Sequence, residues 1–322
     1  MVGRPMAATA SPRSMEAAEP PPEKQRRDTR TALLMVSPAA LLLILFVVVP
    51  FLMAGWLSLN NVKLGGVRAP VFMGLEQYRR ILFDPDASRE FLRGLANNFT
   101  FALIVVPLQT GLALGLALLL NRPLRGMSIF RTFFFMPVVF PMALVAVIWT
   151  LIYSRDSIGL LNSLLGTVSF GAIGPIDWLG SSSLALFAII ILSIWQGVGF
   201  QMIIILAGLQ GIPTSLYEAA ALDRAGRWQK FLNVTVPGLR NTLIFVVMVT
   251  TIFSLRLFDQ IYIMTQGGPD YSTTTLMYQA VSFAFGQNNI GRAAAITVVF
   301  TVIVILITIV QRRILREERE IS

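Results

Sequence analysis

Few side chains in this chain could do chemistry. Its 322 residues contain no histidine and no cysteine. That removes the commonest metal ligand, the commonest proton relay and every thiolate nucleophile. The stretch 286–293, GQNNIGRA, has the glycine spacing of a phosphate loop. It lacks the lysine and following Ser/Thr that hold phosphate and magnesium, so it is no nucleotide site. No acid, base and nucleophile cluster together, which argues against a membrane enzyme. Arg256 and Asp259 remain, three residues apart in apolar surroundings. Charges inside a membrane mark function by default. At i,i+3 near the outer end of a helix the simpler expectation is an ion pair. An anionic solute facing Arg256 is the alternative.

The other polar concentration is 218–237, EAAALDRAGRWQKFLNVTVP. Glu218 opens a run of strong helix formers with small side chains, a shape that fits a groove on another protein. Pro213, and Ser215 three residues before Glu218, predict a capping box at its start. Gly226 predicts the break, after which an amphipathic stretch runs through Trp228, Phe231 and Leu232 to Pro237.

The elements around these residues are membrane helices. The chain is 55% hydrophobic and only 13% charged, with mean hydropathy +0.70, against about 25% charged in an average soluble domain. Apolar runs near 32–57, 99–120, 133–153, 184–207, 241–264 and 291–311 are long enough to span a bilayer, where only a closed helix satisfies its own backbone. The expected fold is all-α, with six transmembrane helices. The first run reads as a retained signal-anchor, and the Pro/Ala/Glu/Arg-rich residues 1–31 as a disordered tail. Prolines 38, 50, 107, 137 and 141 predict kinks. Segment 72–98 reads as a surface helix (Leu75, Tyr78, Ile81, Leu82), a turn at Asp84-Pro85 and an amphipathic lead into helix two. Trp178 is expected as an interfacial anchor.

Basic residues set the orientation. Lys24, Arg26, Arg27 and Arg30 precede helix one; Arg122, Arg125 and Arg131 follow helix two. Arg224, Arg227, Lys230 and Arg240 follow helix four, and Arg312, Arg313, Arg316 and Arg319 follow helix six. The segment 154–183 has Arg155 alone and 265–290 has no Lys or Arg. Both termini are therefore expected on the cytoplasmic side. The 58–97 segment, with Lys63, Arg68, Arg79, Arg80, Arg89 and Arg93, is the exception, since long loops obey the rule weakly. The net charge of +9 then reflects topology anchors and not nucleic-acid binding.

The spacing of Glu218, Ala219, Ala220, Asp223, Ala225, Gly226, Phe231 and Pro237 resembles the EAA loop of binding-protein-dependent ABC importer permeases. Arg224 departs from that pattern, which more often has glycine there. A second string, 258–269 FDQIYIMTQGGP, resembles the carbohydrate-uptake, maltose-type branch at Phe258, Asp259, Thr265, Gly267, Gly268 and Pro269. Further matches are 74–85, 195–210 and the alanines 293–295; together they cover roughly 32–315.

The resemblance implies a type I importer fold in a bacterial inner membrane, multi-pass, with both termini cytoplasmic. It implies a permease domain over 32–315, a cytoplasmic coupling loop at 213–237 and a short cytoplasmic tail at 316–322. With one such loop and no internal repeat, a second related permease must complete the pathway. Two ATP-binding subunits, an extracytoplasmic solute-binding protein, and a sugar-like small-molecule solute are implied as partners. ATP and Mg are expected on the ATPase partners, and no cofactor or metal on this chain. ATPase coupling would fall to Glu218, Ala219, Ala220, Asp223, Gly226 and Pro237. Solute binding would fall to Gln196, Gly197, Phe200, Thr250, Phe253, Ser254 and Leu257. The last four share one helical face, pairing an aromatic ring with hydroxyls as sugars require; helix packing also favours small and hydroxyl residues there. The rival is an ion-gradient-driven secondary transporter, for which Asp259 is the one embedded acid available to couple.

Overall fold

The computed structural model describes residues 22–66, 69–122, 124–156 and 159–315. The chain divides into two units, Met1–Met53 and Ala54–Ser322. In the first, α1 (Pro22–Leu43) leads into a wide π turn at Ile44–Val48. Its backbone is helical from Pro22, ahead of the apolar run. Residues 1–21 of the N-terminal tail, and the 316–322 tail, lie outside the described residues. Each proline in this stretch has a local remedy. Pro38 cannot donate to the Leu34 carbonyl, and the Ser37 hydroxyl donates to it instead at 2.9 Å. The π turn lies just before Pro50, where an ordinary turn would clash with the ring. Then α2 (Val49–Ser58) completes an apolar stretch, Thr31–Ser58, long enough to cross a membrane.

The second unit opens with a short hairpin, β1 (Asn60–Asn61) against β2 (Val71–Phe72), antiparallel with Asn60 opposite Phe72. Next come α3 (Glu76–Phe83) and α4 (Pro85–Leu120). The sequence suggested an amphipathic lead running into helix two. They are one continuous helix of 36 residues, with Pro85 at its first position, where a missing N–H costs nothing.

The third apolar run is two helices, α5 (Met127–Val139) and α6 (Met142–Ile152), bent by 97°. Pro141 is the cause. It excludes α geometry from the preceding residue, and Phe140 is extended (φ −78°, ψ 138°). The kink expected at the prolines is thus a corner. A short helix, α7 (Leu160–Val168), follows. Trp178 is half-buried, its indole N–H donating to Asn162 Oδ1 at 3.0 Å and its ring packing 5.9 Å from Tyr153.

The centre of the unit is α8 (Ala185–Gln210), apolar on every side and mostly buried, as a helix surrounded by others must be. Helix α4 crosses it through Ala113 and Ala117, which pack with Met202, Ile205, Leu206 and Leu209. Where α5 meets α8 the backbones touch: a side chain at Gly199 would overlap the Phe134 carbonyl. The polar segment after α8 forms α9 (Thr214–Leu222), α10 (Arg227–Lys230), a π turn at Phe231–Thr235 and α11 (Val236–Gly238).

The fifth span, Arg240–Met264, is broken. It consists of α12 (Arg240–Leu255) and α13 (Asp259–Met264) with Arg256–Phe258 between. After it come α14 (Leu276–Val281), a π turn at Ser282–Gly286 and α15 (Ile290–Ile314). The described residues therefore hold five long apolar helices, and six spans when the bent pair counts as one, matching the all-α expectation.

Candidate functional site

The break in the fifth span sets the site. A broken helix frees carbonyls that lipid cannot satisfy, and two side chains take them up. Asn98 Nδ2 on α4 donates to the Leu255 carbonyl at 2.8 Å, and Thr275 Oγ1 donates to the Leu257 carbonyl at 2.9 Å. Asn97 donates to the Tyr271 and Thr274 carbonyls, fastening the loop that carries Thr275. The opening is thus held in place.

Beside the break lies a cleft of about 530 Å³, within the usual range for small-molecule sites. The positions singled out by resemblance, Gln196, Gly197 and Phe200 on α8 and Thr250, Phe253, Ser254 and Leu257 on and just past α12, all line it. The structure brings them together but distinguishes their roles. Phe253 is 59% exposed, its ring open to the cleft. Ser254 is 4% exposed and its hydroxyl has no partner among the described residues. Thr250 is not free: its Oγ1 donates to the Val246 carbonyl at 2.7 Å and accepts from Gln201 Nε2 at 2.6 Å. Of the two hydroxyls expected to meet a solute, only Ser254 is available.

The expected Arg256–Asp259 ion pair does not form; the described ion pairs are Glu76 with Arg79 and Arg80, and Arg155 with Asp177. The i,i+3 rule needs a continuous helix, and these residues lie on opposite sides of the break, Arg256 ending α12 and Asp259 starting α13. Both are exposed and both line the cleft.

Sequence reasoning missed Gln109, Gln201 and Gln260, which also line it. Gln260 Nε2 donates to Ser193 Oγ at 3.2 Å. The signal was present: Gln109 and Gln201 are isolated amides inside apolar runs.

The second candidate region is 213–237. Helix α9 begins after Pro213, and no side chain caps it. The predicted capping box is absent because Ser215 lies inside the helix. The chain reversal is also displaced. Arg224 adopts φ +55°, the left-handed region, whereas Gly226 is an ordinary extended residue (φ −69°, ψ 171°). Gly226 therefore does not break α9; it begins α10, with its N–H donating to Gln229 Oε1 at 2.8 Å. The departure from the family pattern sits at the one position whose backbone favours glycine. Glu218, Ala219, Asp223, Gly226 and Pro237 are exposed and Ala220 is half-buried. Leu222 and Trp228 are 85% and 69% exposed. Trp228 stacks on Phe231 with centroids 5.3 Å apart, and Tyr217 and Thr235 hydroxyls meet at 3.0 Å. A rigid loop with apolar side chains on a polar surface is suited to a protein partner.

Residues 109–320 match the model of a family described as "Binding-protein-dependent transport system inner membrane component". The trehalose/maltose transport system permease protein of Thermococcus litoralis is 34% identical over 275 residues, 85% of this chain and 90% of that protein. The lactose transport system permease protein of Rhizobium radiobacter is 34% identical over 279 residues, 85% and 90% of the two chains. Among solved structures, a bacterial alginate ABC transporter, in complex with alginate pentasaccharide-bound periplasmic protein, matches with TM-score 0.75 at 19% identity. That match covers 91% of this chain and 96% of the other. Matched over most of its length in sequence, this chain belongs to the inner-membrane permease components of binding-protein-dependent ABC importers.

Proposed function

We propose that the chain forms one half of the translocation pathway of an ATP-driven importer, and that a sugar or sugar-like solute passes through the cleft. A single observation carries this reading: residues from two helices converge beside a helix break, presenting the open Phe253 ring and the unpartnered Ser254 hydroxyl. A ring face meets the apolar side of a sugar while a hydroxyl exchanges hydrogen bonds with its rim. Relatives named for trehalose/maltose and lactose transport support the solute class.

A second, related permease faces the open side of the cleft, and two ATPase subunits carry ATP and Mg. The exposed surface of α9 and α10, with Glu218, Ala219, Asp223 and Gly226, docks on one ATPase. A solute-loaded extracytoplasmic binding protein delivers from the other side; the alginate transporter's complex with a pentasaccharide-bound periplasmic protein supports this partner. Both termini are cytoplasmic. ATP-driven closure of the ATPase pair moves α9 as a rigid body and switches the cleft between inward and outward access.

The test is uptake of maltose, trehalose or lactose into proteoliposomes holding the whole assembly. Transport should need ATP and the binding protein. Uptake driven by an ion gradient without ATP would overturn the proposal and favour the Asp259-coupled alternative.

A further inference from the structure

We propose that Gln109 on α4 is a solute contact and a specificity determinant in the cleft, reading one uncharged hydroxyl with its amide. The inference rests on the cleft being the solute site, and it adds a third helix to the two that resemblance indicated.

Gln109 is only 6% exposed and lines the cleft, and its side chain makes no hydrogen bond to any described residue. Native proteins rarely leave so enclosed an amide unpartnered, and the cleft is where water or a solute can supply the partner. The neighbouring amides each make one bond: Gln201 Nε2 donates to Thr250, leaving its Oε1 unpartnered, and Gln260 Nε2 donates to Ser193. Gln109 alone among these three keeps both its acceptor and its donors for something outside the protein.

Its position is prepared by a glycine on the facing helix. A Cβ at residue 197 would sit 2.5 Å from Gln109 Nε2 and 3.2 Å from its Cδ. Gly197 therefore acts as a positioning residue, leaving the space the amide fills. Resemblance alone would make Gly197 a wall of the site; the geometry gives it this additional task.

The ligand chemistry follows from the amide. It offers an acceptor oxygen and two donor hydrogens without net charge. A hydroxyl, being donor and acceptor at once, uses both; a carboxylate or ammonium uses one and leaves the other unpaired. A site built to hydrogen-bond a hydroxyl rejects the analogue that lacks it far more strongly than a hydrophobic pocket rejects a missing methylene. The solute is thus polyhydroxylated and uncharged where it meets Gln109.

The experiment uses the assembled transporter in nanodiscs without the binding protein. The probes are maltose, trehalose and lactose, then the monodeoxy derivatives of whichever binds best. Gln109→Ala should weaken binding roughly 3- to 10-fold, the range for one net hydrogen bond. It should also abolish the discrimination against one monodeoxy derivative that the unmodified complex shows. Gly197→Ala should weaken binding on its own but add less than about 2-fold to Gln109→Ala, since the two act through one amide. If Gln109→Ala does not assemble, Gln109→Asn and Gly197→Ala carry the same comparison. Unchanged binding and unchanged deoxy discrimination in Gln109→Ala, with Phe253→Ala impaired, would overturn this inference and leave the cleft reading standing. Unchanged binding in Gln109→Ala, Phe253→Ala and Ser254→Ala together would overturn both. Failure of every neutral probe to bind the unmodified complex would overturn the uncharged-hydroxyl assignment.

Discussion

Asn98 bridges the two sides of an interrupted helix bundle: its Nδ2 donates to the Leu255 carbonyl at 2.8 Å, while its Oδ1 accepts from the Leu276 N–H at 3.0 Å. One buried amide closes the end of α12 and starts α14. Asn98→Ala should strand both backbone groups, at about 1–3 kcal/mol each. The expected result is a lower thermal midpoint of the detergent-purified assembly, with transport falling in proportion to assembled protein. Asn98→Asp keeps an acceptor for the Leu276 N–H but sets a second oxygen against the Leu255 carbonyl in a buried site, and should lose at least as much. Equal midpoints for wild type and Asn98→Ala would show that the break needs no such support.

Stacking in the cleft is open to a direct test. Phe253→Ala should reduce solute affinity at the membrane site several-fold, because a buried aromatic contact contributes about 0.5–1.5 kcal/mol beyond its area. Affinity of the binding protein itself should not change. Ser254→Ala should cost less, and Thr250→Val should act through stability, since its hydroxyl is already engaged by Gln201 and Val246. Titration calorimetry on the assembled complex separates these, and an intact Phe253→Ala affinity would remove the ring from the site.

For the coupling loop, Arg224 and Gly226 exchange expected roles. Arg224→Gly should relieve a left-handed residue by about 1 kcal/mol and leave solute-stimulated ATP hydrolysis intact. Gly226→Ala should be tolerated, since its backbone is ordinary and the space beside it is open. Glu218→Lys should abolish stimulation without preventing insertion. ATPase assays of the reconstituted complex check all three; normal stimulation in Glu218→Lys would count against the docking surface.

Topology can be read by single cysteines placed in this cysteine-free chain. Labelling from outside is expected within 58–97, 154–183 and 265–290, and not at Arg125 or Arg227. The decisive pair is Arg125 and Asp156, which flank α5 and α6. Opposite accessibility makes the bent pair a crossing, whereas equal accessibility makes it a re-entrant loop and puts the two termini on opposite sides.

Much of this architecture was legible because lipid imposes simple rules: length and hydropathy located the apolar helices at 184–207 and 291–311 to within a turn or so, and the end but not the start of the one at 99–120, which begins at Pro85. Family spacing gathered Gln196 through Leu257 at one place, since register along two helices is preserved when loops vary. The misses have physical causes. The corner at Phe140–Pro141 is invisible to a hydropathy window, which sums composition and ignores direction. The lost ion pair between Arg256 and Asp259 depended on a helix that Asn98 and Thr275, distant in sequence, hold open. Gln109 was passed over because a lone amide in an apolar run does not reveal which neighbour it faces.

At 1.5 Å per residue, the 13 residues of α5 measure about 20 Å and the 11 of α6 about 16 Å. Neither arm matches a hydrocarbon layer of about 30 Å, and at 97° their lengths do not add. Lipid touching this side of the subunit must shorten or splay to cover the corner, so acyl-chain length becomes a mechanical load on the transporter. Uptake should fall as the bilayer is thickened from 14- to 20-carbon chains, by fractions of a kcal/mol per Å of mismatch; a rate indifferent to chain length would mean that protein, and not lipid, covers the bend.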